Sequence, residues 1–417
     1  MPCPYDARRR TGERMSKNII EVDPAKFPWL DLNRYTFCMG AENAGILYLS
    51  GQTASEYDPE LGMVVCKGDL LDQTRVIYEK LTVALEAAGM SFQNVVQTVD
   101  YIDAMALPLY RQTGAIRKEY LGENNPLGAT GICVERLLRP DALIEVSMVA
   151  MRGDKKPINP GWDRYGQLTY VPGVVVDDDF VWTSGFLGSE DINGQANYPQ
   201  DTARQVELTY GIISQVLNGA GAKPEDVVKT LDYISPQCLL QYPNTADVRR
   251  GFFGDRFPAS TSIPVNRLLR PEGHVEIEVV AVKGANREEI RVPEWEQNYS
   301  GLTQNAGVKK GRLLQISGQS SVDPATGLPV GGYDIVAQTE QAYRNIARIM
   351  DEGGYSMDDI LNTIEWVAPN GMMDYRKVGE VRRKHFGDRF PSATGISMHQ
   401  ILGRPEQLIE VTAVAVV

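Results

Sequence analysis

The chain of 417 residues repeats one pattern three times, and this repetition limits its fold more than any other feature. A Ser-Gly step follows an apolar run in each copy, at Ser50-Gly51, Ser184-Gly185 and Ser317-Gly318. A glutamate stands in an apolar run near the end of each copy, at Glu145, Glu276 and Glu410. The same order recurs at a period of about 133 residues, which predicts three copies of one domain.

Each copy reads as strand, strand, helix, strand, helix, strand, strand, which is an α+β unit long enough to bury its own core. The first helical segments end on glycine, as helix C-termini prefer, and cover residues 72–89, 201–221 and 337–354. Lys/Pro/Gly-rich stretches separate the copies at 152–161 and 283–294. We therefore predict an N-terminal tail, disordered or extended, at 1–25, followed by repeats at 26–155, 156–288 and 289–417.

Composition excludes several classes of protein. The formal net charge of −12 argues against a nucleic-acid-binding face, and no apolar run reaches the roughly 18 residues of a membrane span. The five cysteines have no CxxC spacing, and His, Cys, Asp and Glu do not cluster at metal-ligand spacing. We expect a cytoplasmic protein with no metal, no organic cofactor, and neither nucleic acid nor membrane as a partner.

These motifs together resemble the Rid (YjgF, reactive-intermediate deaminase) family. The resemblance lies in the Ser-Gly-Gln strand, the AAG helix end, the VV-x-T-x-x-Y/W strand, the FFG-x-x-x-P turn and the closing glutamate strand, and it covers about residues 30–417. It implies a chorismate-mutase-like α+β fold and a trimer with sheets inward, helices outward and a cleft at each interface. For three fused copies it implies an intramolecular pseudo-trimer whose clefts are free to differ. Further association of such pseudo-trimers is left open.

The resemblance also implies hydrolysis of enamines and imines with release of ammonia, without metal or cofactor. Some members deaminate ring-cleavage products such as 2-aminomuconate, and others bind small metabolites with no known catalysis. The deaminating subgroup holds the substrate carboxylate with an arginine, and the aligned residues here are Thr130, Thr261 and Thr394. This departure favours a substrate larger than a two- or three-carbon imino acid, of the aminomuconate type. A non-catalytic carboxylate-binding protein and an assembly protein remain the alternatives.

The three glutamates are the predicted catalytic residues. Imine hydrolysis needs a group that deprotonates water and then protonates the departing amine, and one carboxyl with a raised pKa can do both. The apolar runs around Glu145, Glu276 and Glu410 would favour such a rise. The alternative is a strand glutamate that points to solvent.

A carboxylate substrate needs a cation in place of the missing arginine. The second helix of each copy carries an arginine one turn after a small residue, at Arg117, Arg249 and Arg382. We predict that these residues bind the substrate; structural ion pairing is the alternative. The Ser-Gly backbone N–H groups are expected to be free for a substrate oxygen or water. The predicted binding set is therefore Ser50, Gly51, Ser184, Gly185, Ser317, Gly318, Thr130, Thr261, Thr394, Arg117, Arg249 and Arg382.

Two further observations refine the predicted site. No His or Lys recurs beside the three serines, which argues against nucleophilic serine. Repeat 2 has Phe186 where the other repeats have Gln52 and Gln319, so we predict at most two fully competent clefts.

Overall fold

The computed structural model describes residues 17–27, 35–122, 124–193, 195–402, 404 and 406–417. Within these residues each repeat forms one mixed sheet with a long and a short helix packed on it, which confirms the predicted α+β class. No helix among them is long and apolar enough to cross a membrane.

The elements of repeat 1 are β1 (Asn18–Ile19), β2 (Gly40–Asn43), β3 (Ile46–Leu49), β4 (Ser55–Asp58), β5 (Met63–Cys66), α1 (Leu70–Ala87), β6 (Val95–Asp103), α2 (Thr113–Leu121), β7 (Gly128–Val134) and β8 (Ile144–Met151). Those of repeat 2 are β9 (Lys155–Ile158), β10 (Gly173–Val176), β11 (Phe180–Thr183), β12 (Phe186–Leu187), β13 (Glu190–Ile192), β14 (Gln195–Asn197), α3 (Thr202–Gly219), β15 (Val227–Ile234), α4 (Ala246–Phe253), β16 (Ala259–Pro264), β17 (Arg267–Leu268) and β18 (Val275–Val282). Those of repeat 3 are β19 (Arg287–Ile290), α5 (Glu296–Tyr299), β20 (Gly307–Lys310), β21 (Leu313–Ser320), β22 (Val322–Asp323), β23 (Leu328–Pro329), α6 (Ile335–Glu352), β24 (Ile360–Val367), α7 (Gly379–Phe386), β25 (Ser392–Ser397) and β26 (Ile409–Val416).

The three sheets share one strand order. In repeat 1 it is β2-β3-β8-β6-β7, and the equivalent orders are β10-β11-β18-β15-β16 and β20-β21-β26-β24-β25. The strand that carries the repeated glutamate, such as β8, lies antiparallel to β6, whereas β6 and β7 are parallel. The short strand β17 of repeat 2 also pairs with β7, so it extends the sheet of repeat 1.

The long helices begin and end where the sequence predicts. Asp69, Asp201 and Asp334 each accept a backbone N–H two residues further on and so cap α1, α3 and α6. Gly89, Gly221 and Gly354 follow the helices with positive φ angles of 63°, 69° and 73°, a conformation that other residues adopt at a cost.

The strands are apolar on both faces because both faces are covered. One face packs on the helices of its own repeat, as in the cluster that joins Ile346 of α6 to Val411 of β26. The opposite faces meet in a cluster of strand residues from all three repeats, which includes Ile46, Val280 and Val414. The sheets therefore face one another.

Two features differ from the prediction or extend it. Residues 1–16 of the predicted tail lie outside the described residues. In the part that follows, Asn18–Ile19 pairs with β2, and Lys17 and Ile20 are buried. This part of the tail therefore extends the sheet of repeat 1. It matches β9 and β19, which pair in the same way with β10 and β20. The hairpins β4/β5, β13/β14 and β22/β23 were not predicted.

Candidate functional site at the junctions between repeats

The three Ser-Gly steps lie where one repeat meets another. Each serine hydroxyl donates to a carbonyl of its own repeat and accepts a backbone N–H from another repeat. The accepted N–H groups belong to Ala393 for Ser50 (2.8 Å), Ala129 for Ser184 (3.0 Å) and Ser260 for Ser317 (2.8 Å). These bonds join repeat 1 to 3, repeat 2 to 1 and repeat 3 to 2. We call the three places junction 1/3, junction 2/1 and junction 3/2.

The sequence predicts free N–H groups at the Ser-Gly steps, but in the structure these groups are hydrogen-bonded within the protein. The N–H groups of Gly51 and Gly318 donate to the hydroxyls of Thr394 and Thr261, both at 3.0 Å, and Gly185 N–H donates to Ala129 O at 3.3 Å. The serine N–H groups are also bonded, to backbone carbonyls of their own repeats. Because all of these groups are occupied and Ser50, Ser184 and Ser317 are fully buried, this backbone holds the repeats together instead of presenting donors to a ligand.

Removing one of these serines tests whether its hydrogen bond to another repeat stabilises the folded protein. In Ser317→Ala the buried Ser260 N–H loses its partner, so we expect a loss of about 1–3 kcal/mol in the free energy of unfolding. Denaturant unfolding measures this loss. Ser320→Ala, a change on the same strand, is the control. Equal stability of the two variants would contradict the bridging role.

The glycine of each Ser-Gly step makes room for the glutamate of the same repeat. A β-carbon on Gly51 would overlap Glu145 Oε1, and the same holds for Gly185 with Glu276 and for Gly318 with Glu410. A threonine from the neighbouring repeat closes the other side of the glycine: Thr394, Thr130 and Thr261 at junctions 1/3, 2/1 and 3/2. The structure thus brings the predicted glutamates, glycines and threonines together three times.

Glu145 and Glu276 are buried and Glu410 is partly buried, and no hydrogen bond to these carboxyl groups is found from the described residues. Glu145 and Glu276 are 5% and 7% exposed. Desolvation raises the pKa of Glu145 and Glu276 to about 8 and that of Glu410 to about 7, and the Glu278 carboxylate adds to the rise at Glu276. Near neutral pH each carboxyl therefore exchanges readily between its acid and its base form.

The predicted arginines form buried ion pairs, as the alternative reading held. Arg382 binds Glu365 through Nε (2.8 Å) and Nη2 (2.5 Å), Arg249 Nη1 lies 3.1 Å from Asp232, and Arg117 Nη1 lies 2.9 Å from Asp100. The guanidinium groups of Arg249 and Arg382 use their remaining N–H groups within the protein. Because their N–H groups are used in this way, Arg249 and Arg382 do not fit the predicted role of binding a substrate carboxylate.

The sequence analysis did not identify the tyrosines that bind the same carboxylates as these arginines. Tyr110, Tyr242 and Tyr375 stand seven residues before the arginines and donate to the paired carboxylates at 2.9, 2.7 and 2.7 Å. Their hydroxyls lie against the residue after the junction threonine, which is Gly131, Ser262 or Gly395. The Tyr-x6-Arg spacing in all three repeats was the signal that could have found them.

The structure also contains a further buried glutamate and cavities between repeats. Glu278 accepts from Thr130 at 2.7 Å and pairs with Lys229 at 3.3 Å, beside a cavity of about 50 Å³ among the three sheets. A second cavity of about 150 Å³ is lined by Tyr299, a residue on which the Glu410 carboxylate acts electrostatically.

Among the described residues, His, Cys, Asp and Glu do not group in threes as a metal site requires.

A family model described as endoribonuclease L-PSP matches residues 32–152, 165–283 and 295–417, one match for each repeat. The chain belongs to this family. It is a Rid protein of three repeats, as the motifs predicted.

Relatives of this Rid protein match about one repeat each. A RutC family protein of Pyrococcus horikoshii is 34% identical over 108 residues, which cover 26% of this chain and 82% of that protein. The 2-iminobutanoate/2-iminopropanoate deaminase of Homo sapiens is 28% identical over 106 residues, 25% of this chain and 73% of that enzyme. A crystal structure of a YjgF/YER057c/UK114 family member from Mycobacterium tuberculosis aligns at 26% identity and a TM-score of 0.26, over 32% of this chain and all of that one.

Proposed function

We propose that this Rid protein hydrolyses an imine, or the enamine in equilibrium with it, to a carbonyl compound and ammonia at the junctions between its repeats. The observation that carries the proposal is the glutamate of each junction, whose pKa is raised to about 7 or 8 chiefly by desolvation. Relatives named imine deaminases support the reaction class. The hydrogen bonds among all three pairs of repeats support a pseudo-trimer.

A single carboxyl suffices for the chemistry. In its acid form it protonates the imine nitrogen, and the resulting carboxylate takes a proton from water as the water oxygen adds to carbon. The carboxyl then protonates the carbinolamine nitrogen, the C–N bond breaks, and the hydroxyl proton returns to the carboxylate. The sum is one imine and one water converted to one carbonyl compound and one ammonia.

The reaction is tested by ammonia release from 2-imino acids generated in situ by an amino acid oxidase, and from amino-dienoates. Release above the uncatalysed rate is expected for the larger, conjugated substrates. Saturable binding of these compounds without turnover would overturn the proposal and favour the carboxylate-binding alternative.

The pH dependence follows from the carboxyl groups. Since each carboxyl must enter the cycle in its acid form, we expect kcat/KM to be constant well below the pKa values of about 7 and 8 and to fall as the pH rises through and above them. Ammonia release measured from about pH 5 to 10 checks this profile. A rate that is unchanged across that range would contradict a role for these groups.

A further inference from the structure

The cavity of about 50 Å³ among the three sheets, which we call the central cavity, is lined by side chains from all three repeats. It begins two residues beyond the junction glutamates along their strands, at Ser147, Glu278 and Thr412. The neighbouring strands contribute two further sets of equivalent residues: Gln97, Lys229 and Asn362, and Tyr48, Trp182 and Gln315. Because each set differs among the repeats, the wall has no threefold symmetry, and its charged groups come from repeat 2.

Two layers of side chains enclose the central cavity. On one side the Trp366 ring packs edge-on against the rings of Tyr101 and Tyr233, with centroid distances of 6.0 and 6.2 Å. On the other side lies an apolar cluster with the residues two positions before the last set, which are Ile46, Phe180 and Leu313. A ligand in the central cavity is thus enclosed between an aromatic and an apolar layer.

Molecules of the size of water fit in the central cavity. Ser147, Val149, Lys229 and Ile364 belong to inner strands of their sheets, yet each is only partly buried. One water requires about 10–15 Å³ of such volume. The cavity of about 50 Å³ therefore accommodates a group of about four atoms of that size.

The charges in the wall of the central cavity balance one another. Lys229 Nζ lies 3.3 Å from Glu278 Oε1, and the Thr130 hydroxyl of repeat 1 donates to Glu278 Oε2 at 2.7 Å. The other residues that line the cavity are uncharged. A charged ligand would be buried there without a counter-ion of its own, which is costly. The cavity therefore favours an uncharged ligand.

A buried N–H group in the wall requires an acceptor. Trp182 is 1% exposed, and its Nε1 has no hydrogen-bond partner in the part of the chain that the structure describes. An indole N–H can only donate, and buried donors without a partner are rare because each is costly. By contrast, Trp366 Nε1 donates to the Thr412 hydroxyl at 3.1 Å. The oxygen that Trp182 requires must therefore come from a molecule inside the cavity.

Much of the remaining wall is apolar. Val99, Leu231 and Ile364 lie on the strands beside Ser147, Glu278 and Thr412 and line the same cavity. Water would satisfy the indole N–H but would gain nothing from these side chains, whereas a molecule with a carbonyl oxygen and a small hydrocarbon group matches both parts of the wall.

We propose that the central cavity binds one small uncharged carbonyl compound, such as a simple amide or ketone, whose oxygen accepts the indole N–H of Trp182. The ligand has about four non-hydrogen atoms, as the volume allows. This binding is additional to the proposed hydrolysis, and neither depends on the other. Acetamide binding without ammonia release would refute only the deaminase, and ammonia release without acetamide binding would refute only this site.

Acetamide is a suitable probe, and the indole N–H groups report its position. The full chain labelled with ¹⁵N-tryptophan contains five such groups, and the Trp182 signal is the one that Trp182→Phe removes. We expect acetamide to move the Trp182 signal saturably, with a dissociation constant on the order of 1–10 mM, since so small a ligand gains little free energy. Trp295 lines the cavity of about 150 Å³, so its signal should stay in place.

Related probes test the class of ligand. Acetate has the shape of acetamide but carries a charge, and it should bind at least about tenfold more weakly. Benzamide is too large and should leave the Trp182 signal unchanged. Equal affinity for acetate, or movement of the Trp295 signal alone, would overturn the proposal. So would a Trp182 signal that acetamide does not move, because water would then be the partner of the indole.

Variants that retain the fold test the location of the site. Val149→Leu adds a methylene group to the wall of the central cavity, so it should weaken acetamide binding about fivefold or more, while denaturant unfolding should show no loss of stability. The matched control Val292→Leu makes the same change in the cavity of about 150 Å³ and should leave the affinity unchanged. Equal effects of the two variants would contradict the assignment.

Removal of the donor provides the second test. Trp182→Phe keeps an aromatic ring but loses the N–H, so acetamide affinity measured by calorimetry should fall about three- to tenfold. Trp295→Phe is the control and should bind acetamide as the natural chain does. An affinity that Trp182→Phe leaves unchanged would overturn the proposed hydrogen bond.

Discussion

Glutamine at all three junction positions is expected to lower the rate of imine hydrolysis by about 10²- to 10⁴-fold, the usual contribution of general acid–base catalysis. Glutamine has the shape of glutamate and can hydrogen-bond, but it cannot carry a proton between nitrogen and water. The measurement is ammonia release by the triple variant Glu145→Gln/Glu276→Gln/Glu410→Gln. Single variants then show how much each junction contributes.

The stability of the triple variant provides an internal control. The folded-state pKa values of these carboxyls lie above the ordinary value of 4.5. The folded chain therefore binds more protons than the unfolded chain between about pH 4.5 and 8, and stability falls as the pH rises through this window. Glutamine removes that loss, so the variant should be at least as stable as the natural chain at pH 8. A slow variant that is also unfolded at pH 8 would not support the catalytic assignment.

Glu278→Gln is the matched comparison for activity. Glu278 lies two residues from Glu276 on β18 and is equally buried, but it pairs with Lys229 beside the central cavity. Its replacement should cost stability, because Lys229 loses its partner, and should change the rate per folded molecule only a few-fold. A rate as low as that of the triple variant would contradict the distinction between these two glutamates.

The largest effect on stability is expected from Arg382→Met. The variant leaves the Glu365 carboxylate buried with no cation, which typically costs about 3–5 kcal/mol. Denaturant unfolding measures the loss. The double variant Arg382→Met/Glu365→Gln removes the unpaired charge, keeps one acceptor for Tyr343 or Tyr375 and presents an N–H donor to the other hydroxyl, so it should recover at least half of the stability.

The control for this experiment is a surface arginine with equally short contacts. Arg348 binds Glu294 at 2.6 Å and Glu352 at 2.8 Å, but its side chain is 35% exposed. Arg348→Met should therefore cost less than about 1 kcal/mol. Similar losses for Arg348→Met and Arg382→Met would show that burial does not decide the effect of the ion pair.

Sequence reasoning predicted the elements of this fold well because their signals are local. The predicted helix at 337–354 lies within two residues of α6 (Ile335–Glu352), since Asp334 and Gly354 mark its ends through their own backbone preferences. The strand β1 within the predicted tail has two residues, too few to show the alternation by which a strand is recognised in a sequence.

The predicted site was less accurate because its contacts cross between repeats. The repeat pattern identifies equivalent residues, and the structure adds that Glu145 lies beside Gly51. It does not reveal that Gly51 N–H is already bonded to Thr394 of another repeat, 343 residues away. Nor does it show that Asp100 and Glu365, within strands that read as core, bind the arginines.

The connections of the chain make the three junctions unequal in the length of chain that each one closes. The serine bonds of junctions 2/1 and 3/2 join residues 55 and 57 apart, whereas that of junction 1/3 joins residues 343 apart. Formed from an unfolded chain, the longer loop costs about 1.6 kcal/mol more in closure entropy. We therefore expect junctions 2/1 and 3/2 to form first and junction 1/3 to close on partners that are already folded, so that the meeting of repeats 1 and 3 completes folding.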